Sequence, residues 1–329
     1  MVEYAVQMNS DTKESPAPRS AMVGVVGRTN AGKSTIVNRM VGEKVTIVSP
    51  VEQTTRNTIR GIVADARGQL VLLDTPGLHK AVGPLGKLLN GMARASSAGT
   101  DILCVVFDAS HEPQLEDEGW MARVAKERPE KCVFVLNKCD SSPFYETMFR
   151  DLWKDVVSRP LPAKYSATHA QSAFEPAWVK SCGTRPGGCD ALMDILFDLA
   201  PEGPPLFPED IVTDYPRKLA IADVVREKLL QRLHDELPHE IGVVVSDIHE
   251  DRKRGWDAAV TVYVNRQSQK GIVIGPGGRL IKAVRQSAEP ELSDMFGVKV
   301  RLEIWVRVEQ GWMKNSRLLG EMGYMGAMQ

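Results

Sequence analysis

No stretch of this 329-residue chain approaches the roughly 18–20 uninterrupted apolar residues that would cross a bilayer. The opening MVEYAVQMNSDTKESPAPRS carries Glu3, Asp11 and Glu14 and lacks an apolar signal core. Residues 1–20 therefore read as a disordered leader, not a secretory or transit peptide, although a processed organellar chain would look the same. An excess of charge of one sign is also missing. The 41 Lys and Arg against 42 Asp and Glu leave a net charge of −1, so any basic surface must be local. Five cysteines (Cys104, Cys132, Cys139, Cys182 and Cys189) form no CxxC pair. An odd number without a framework fits a reducing compartment better than a disulfide scaffold. No internal repeat is visible.

What is present is ordinary for a globular protein, with 43% hydrophobic and 25% charged residues, and the length suggests two domains. AMVGVVG (21–27), QLVLLDTPG (69–77), DILCVVFDAS (101–110) and KCVFVLNKCD (131–140) are apolar runs that end at Gly, Asp or Asn. Continuous runs of this kind suit strands buried on both faces. Helical patterns at 33–41, 84–98 and 114–128 separate most of them, which predicts a doubly wound α/β domain over 21–200. Its ligand belongs at the carboxyl ends of the strands, where the polar punctuation falls. The Pro- and Gly-rich APEGPPLFPED predicts a stiff linker over 201–216. Beyond it a helix at roughly 217–235, the strand-like IGVVVSDIHE and AAVTVYVNR, a Gly-rich turn, a further helix and the alternating KVRLEIWVRVE predict a small α+β domain over 217–329 with a C-terminal tail.

Residues 27–34, GRTNAGKS, match G-x-x-x-x-G-K-[ST] in the strand-to-helix setting that the phosphate loop requires. Gly27, Arg28, Thr29, Asn30, Ala31 and Gly32 supply backbone N–H donors for a nucleotide's phosphates. Lys33 can neutralise β- and γ-phosphate charge, Ser34 is placed to hold Mg²⁺, and Thr35 opens the helix. In LLDTPGL, Asp74 is a second Mg²⁺ candidate. Thr75, Pro76, Gly77 and Leu78 follow it, with the Gly77 N–H where a γ-phosphate would lie. Asn137, Lys138, Cys139 and Asp140 spell N-K-x-D, and this decides the base. The Asp140 carboxylate can accept from N1–H and the 2-amino group of guanine. Adenine offers neither donor there, and an unmet desolvated charge costs several kcal/mol. The predicted ligands are GTP, GDP and Mg²⁺.

Between these motifs, VEQTTRNTIRG (51–61) is polar, poor in core signal and expected as a loop. Gln53, Thr54, Thr55, Arg56 and Asn57 form its candidate switch, in which Thr54 or Thr55 reaches Mg²⁺ while the γ-phosphate is present. A fifth element should back the guanine. WVKSCGT offers Ser181, Cys182 and Gly183, and YSATH offers Ser166 and Ala167. The first is favoured because strand, turn and helix follow directly. No glutamine follows the D-x-x-G, since Leu78 and His79 stand there. Lys33, Thr55 and Gly77 are left as the candidates for charge stabilisation and water positioning, with slow intrinsic turnover expected.

In KGIVIGPGGRLIKAVRQ, residues Gly275, Pro276, Gly277 and Gly278 form a G-x-x-G turn before an amphipathic helix. Such a loop lets single-stranded RNA backbone approach closely. Arg279, Lys282 and Lys270 flank it as candidate phosphate contacts. With GRTNAGKST, QTTRN, DTPGLHK, NKCD, PEGPPLFPED, SQKGIVIGPGG and the late GWMKNSRLLGEMGY in this order, the chain resembles the Era family of GTPases from about residue 21 to Tyr324. That resemblance implies a Ras-like GTPase domain joined to a type II KH domain. It also implies binding to the 3′ end region of small-subunit rRNA and a role in 30S-type subunit assembly. For localisation it implies a monomer in a bacterial-type cytoplasm, with peripheral contact to the inner membrane. Pro276 departs from the family's usual lysine, removing a cation and a backbone donor. Other readings are a GTPase of RNA modification, which would need a further catalytic domain, and a non-hydrolysing RNA-binding module. An ATP-dependent kinase fits worst, because Asp140 reads the wrong base.

Overall fold

The computed structural model describes residues 17–49, 55–77, 91, 99–160, 174–233 and 237–324. Its first apolar run is β1 (Arg19–Val26), which passes through the glycine loop into α1 (Lys33–Val41). β2 (Ile59–Asp65) and β3 (Gly68–Asp74) form an antiparallel hairpin. Then β4 (Ile102–Asp108), α2 (Leu115–Glu127), β5 (Cys132–Asn137), α3 (Glu146–Ser158), β6 (Ala177–Lys180) and α4 (Asp190–Leu199) alternate. The sheet order is β2-β3-β1-β4-β5-β6, and only β2 runs against its neighbour. Strand order therefore reverses direction at β1, and the crevice at its carboxyl end is where this topology places a ligand.

The apolar runs are continuous because both faces of the central strands are covered. Cys104, Val106, Val133 and Val135 join Ile36, Leu192 and Leu196 in one core. Leu103, Val105, Phe107, Phe134 and Leu136 join Trp120, Phe149 and Trp153 in the other. Phe134 meets Phe107, Trp153 and Trp178 edge-on at 5.0–5.1 Å. Truncating so buried a ring costs about 3–5 kcal/mol.

The second domain contains α5 (Arg217–Leu230), β7 (Gly242–Asp251), β8 (Gly255–Val264), α6 (Gln267–Ile274), α7 (Arg279–Phe296), β9 (Val300–Val308) and α8 (Ser316–Glu321). β7 and β8 pair antiparallel, β8 and β9 parallel. Val243, Val260, Val262 and Leu302 pack with Leu229, Val273, Val284 and Leu292 from the helices. Val244, on the opposite side, packs with Trp312, Leu318, Leu319 and Met322.

Three features differ from the sequence reading. No helix was expected between AAVTVYVNR and the G-x-x-G turn, yet α6 occupies Gln267–Ile274, directly before the turn at 275–278. The polar 51–61 segment was expected as a loop, but β2 begins inside it at Ile59, while Thr55, Arg56 and Asn57 are buried. Their side chains find distant partners that local polarity does not report, although Arg56 Nε and Asn57 Oδ1 are buried without one among the described residues. The linker is fastened, not free-standing. Gln69 Oε1 accepts from Leu206 N and Phe207 N at 2.8 and 2.9 Å, and Ile62 N donates to Val212 O at 2.8 Å. The helical pattern at 84–98 lies outside the described residues, Gly91 apart.

Candidate nucleotide and RNA sites

Gly27, at the end of β1, adopts φ +148°, and a Cβ there would stand 2.3 Å from Val106 O. A side chain would both strain the backbone and strike the neighbouring strand. The loop that follows reaches α1 at Lys33, which is 6% exposed. Lys33 Nζ donates to Arg28 O at 2.8 Å and Gly27 O at 3.2 Å, folding over the loop. Burial lowers its pKa to about 8, and the Asp74 carboxylate only partly opposes the effect. Arg28 ties the loop to the rest of the domain through Asp108 at 3.4 Å and Asp117 at 3.3 Å.

Asp74 is fully buried at the end of β3. Its Oδ2 accepts from Ser34 Oγ at 2.6 Å, and Ser34 Oγ lies 2.9 Å from Thr55 Oγ1. Among the described residues Asp74 Oδ1 is buried without a partner at hydrogen-bond geometry, and the Thr46 hydroxyl, also buried and without one, is close enough to oppose the rise of the Asp74 carboxyl. Burial pushes the Asp74 carboxyl up, against the Ser34 hydroxyl and Lys33. A desolvated carboxylate with an unmet oxygen favours a cation. Ser34, Thr55 and Asp74 offer the oxygen donors Mg²⁺ prefers, spaced close to the edge of an octahedron with bonds of about 2.0–2.1 Å. The residues fit the ion. Thr55 is the threonine that meets Ser34, whereas Thr54 lies outside the described residues. Thr75 Oγ1 donates to Val25 O at 2.9 Å, so its hydroxyl pins β3 to β1. A Cβ on Gly77 would stand 2.7 Å from Thr29 N, so this glycine abuts the phosphate loop directly.

Asn137 closes the β5 end by joining two loops. Its Nδ2 donates to Ala31 O at 2.8 Å, and its Oδ1 accepts from Gly183 N at 3.4 Å. Lys138, with φ +61°, sends Nζ to Asp108 Oδ2 at 2.7 Å. β6 runs parallel to β5 and delivers Ser181, whose N donates to Leu136 O at 3.0 Å and whose O accepts from Cys139 N at 3.1 Å. This puts Ser181, Cys182 and Gly183 beside the N-K-x-D turn. Ser166 and Ala167, the alternative, lie outside the described residues. The Asp140 carboxyl is held below its usual range, first by the Cys182 thiol, and Arg185 Nε lies 3.5 Å away. It is ionised at neutral pH.

These ends border a cleft of about 760 Å³ lined by Asn30, Lys33, Ser34, Thr55, Gly77 and Lys138, among others, within the range of small-ligand sites. Asp108, His111 and Gln114 also line it and were not singled out from sequence. Asp108 accepts from both Lys138 and Ser110. The only sequence signal was its place at the end of an apolar run. Gln53, Leu78 and His79 lie outside the described residues.

In the second domain, Gly275 N donates to Gly271 O at 2.9 Å and Gly278 N to Gly275 O at 3.0 Å, shaping the 275–278 turn. A second cleft, lined by Gly271, Ile272, Gly275, Pro276, Arg279 and Leu280, opens beside it. Ile272 is 56% exposed there. Arg279 and Lys282 are exposed on the first turn of α7, and Lys270, on α6, is half-buried.

Comparison with known proteins agrees with this two-part layout. A family model described as 50S ribosome-binding GTPase matches residues 22–138, and one described as KH domain matches 236–313. GTPase Era of Geobacter sp. (strain M21) is 38% identical over 307 residues, 93% of this chain and 98% of the relative. GTPase Era of Heliobacterium modesticaldum is 33% identical over 311 residues, 94% of this chain and 99% of the relative. The crystal structure of Era with MgGDPNP and nucleotides 1506–1542 of 16S ribosomal RNA superposes with a TM-score of 0.80. Its identity is 28%, covering 93% of this chain and 99% of that one. A variant of Aquifex aeolicus Era bound to GDP·AlF4⁻ gives 0.78 at 28% identity, with the same coverage.

Proposed function

This chain belongs to the Era family of GTPases, and on that premise we propose that it is a GTP-hydrolysing switch. In this reading it binds the 3′ end region of small-subunit rRNA and assists assembly of the 30S-type subunit. One observation carries the proposal. A single chain combines a guanine-reading phosphate-loop cleft with a G-x-x-G groove, and residues 55–57 run from the first to the second domain. The resemblance also supports a monomer in a bacterial-type cytoplasm, with peripheral contact to the inner membrane. Among the described residues, no helix is long and apolar enough to cross a bilayer.

The loop amides of 27–32 receive the phosphates, and Lys33 swings from the Gly27 and Arg28 carbonyls to their charge. Asp140 selects guanine, with Ser181 and Cys182 behind the base. Mg²⁺ held by Ser34, Thr55 and Asp74 would neutralise the triphosphate. Gly77, which abuts the phosphate loop, would donate its N–H to the γ-phosphate. Gly275, Gly277 and Gly278 admit the RNA backbone, while Arg279, Lys282 and Lys270 contact its phosphates. Pro276 contributes neither charge nor N–H. The decisive test is affinity for a 16S-type 3′ end fragment with a non-hydrolysable GTP analogue and with GDP. Tighter binding with the analogue is expected, and equal affinities would overturn the switch.

Two further results are expected. Lys33 has a folded pKa of about 8, below its ordinary 10.5, so between those values the unfolded chain binds more protons. This residue therefore costs stability at neutral pH, and the cost is relieved as pH rises. Triphosphate should restore the missing proton. At pH 9, calorimetry in buffers of different ionisation heat should show uptake approaching one proton per GTP bound, and release would contradict it. Separately, Lys282→Ala should weaken RNA binding across sequences and flatten the salt dependence by about one unit of log–log slope. An unchanged slope in a salt titration would remove Lys282 from the interface.

A further inference from the structure

The described residues on both sides of 50–54 are held by the second domain. Ile47 lines the nucleotide cleft, yet it is 3% exposed and belongs to the same apolar core as Val224, Leu229 and Val243. Next to it, Val48 N donates to Glu227 Oε1 at 3.0 Å. Lys44 Nζ donates to Glu227 Oε2 at 2.7 Å and Glu291 Oε1 at 2.6 Å. On the other flank, Thr55 turns to Ser34 while its two successors turn away. Arg56, 1% exposed, donates to Ile241 O at 3.0 Å and His239 O at 3.3 Å. Asn57 Nδ2 donates to Tyr215 OH at 2.8 Å and Met322 O at 3.0 Å. Tyr215 OH in turn donates to Asp223 Oδ2 at 2.8 Å.

A buried guanidinium is costly wherever its N–H groups go unmet, and here Nη1 and Nη2 are met by carbonyls of the turn Leu237–Glu240 and the residue after it, while Nε has no hydrogen-bond partner among the described residues. Arg56 therefore cannot leave these carbonyls without stripping a buried cation of its hydrogen-bond acceptors. Thr55, one peptide away, shares that constraint. We propose that the second domain is the scaffold that holds Thr55 at the Ser34–Asp74 edge, with Arg56 as the positioning residue across the interface and Asn57 as its support. The inference rests on the reading of Thr55 as the triphosphate-sensing threonine. Hydrolysis in the first domain then depends on packing in the second, with or without RNA.

The test uses the full chain without RNA. Thr55 contributes to the triphosphate state and not to GDP binding. Arg56→Ala should therefore lower GTP-analogue affinity and single-turnover hydrolysis by about tenfold, with GDP affinity kept within about twofold. Arg56→Lys, which can reach one carbonyl but not fork to two, should fall between. Hydrogen exchange at the amides of 55–57 should quicken in Arg56→Ala while the melting transition stays cooperative. If Arg56→Ala fails to fold, Asn57→Ala, which strands no charge, carries the same expectation. Equal losses for analogue and GDP, or no loss for either, overturn the inference. Thr55→Ala separates the two readings. If it is impaired while Arg56→Ala and Asn57→Ala behave as wild type, only the scaffold role falls. If Thr55→Ala is itself unimpaired, the underlying reading of Thr55 falls as well.

Discussion

Alanine at Asp140 is expected to weaken GTP binding by about two to four orders of magnitude, because two hydrogen bonds to a charged acceptor are lost at about 1.5–3 kcal/mol each. ATP, which never had those bonds, should bind no worse than before, so the variant loses selectivity more than it loses the phosphate site. Asparagine at 140 gives a sharper result. Its N–H would stand where the carboxylate accepted, which suits a base carrying a carbonyl at C2. Xanthosine triphosphate should then gain much of what GTP loses. Competition titrations of the three nucleotides against a fluorescent GDP check both statements. The Asp140 side chain is partly solvated beside Arg185, and its ionised state is secured by the Cys182 thiol and its own backbone N–H. No folding penalty is expected from either change.

Methionine at Lys33 should lower the single-turnover hydrolysis rate by about two to three orders of magnitude, the scale reported by removal of one preorganised charge stabiliser. The fold should respond in the opposite direction. Holding this lysine charged and buried at neutral pH, with its pKa drawn down to about 8, costs about 3 kcal/mol. Its bonds to Gly27 O and Arg28 O only partly offset that cost. An apolar side chain of similar length removes the charge and keeps the volume, so the melting temperature should hold or rise. A functional residue kept at the expense of stability fits this pattern. A variant that melted much earlier would mean that Lys33 is chiefly structural.

How much of this was legible without coordinates depended on how local each signal was. The phosphate loop was legible because backbone wrapping round phosphate needs particular residues at consecutive positions. The N-K-x-D turn was legible because reading guanine needs a carboxylate at a strand end. The central strands announced themselves because burial on both faces leaves no polar position to interrupt the run, as in β4 and β5. Arg56 and Asn57 were misleading for the converse reason. Their polarity looks like a solvated loop, yet each is buried, with partners more than 150 positions away. Asp108 was passed over because one aspartate after an apolar run has many explanations. The helix α6 was missed because Gly271 and the β-branched Ile272, Val273 and Ile274 disfavour helix locally, but Val273 packs into the core of the second domain and the segment is helical.

Sequence alone determined the nucleotide class and the plan of a GTPase domain followed by a KH domain, since each is written in short contiguous patterns with a chemical requirement. Only the tertiary structure decided that the second domain holds both flanks of the switch. It also showed that Thr55 meets Ser34 and that a linker of prolines lies along β2. Those outcomes depend on pairing groups far apart in the chain, where a buried donor accepts any well-placed carbonyl and the sequence carries no record of which one it finds.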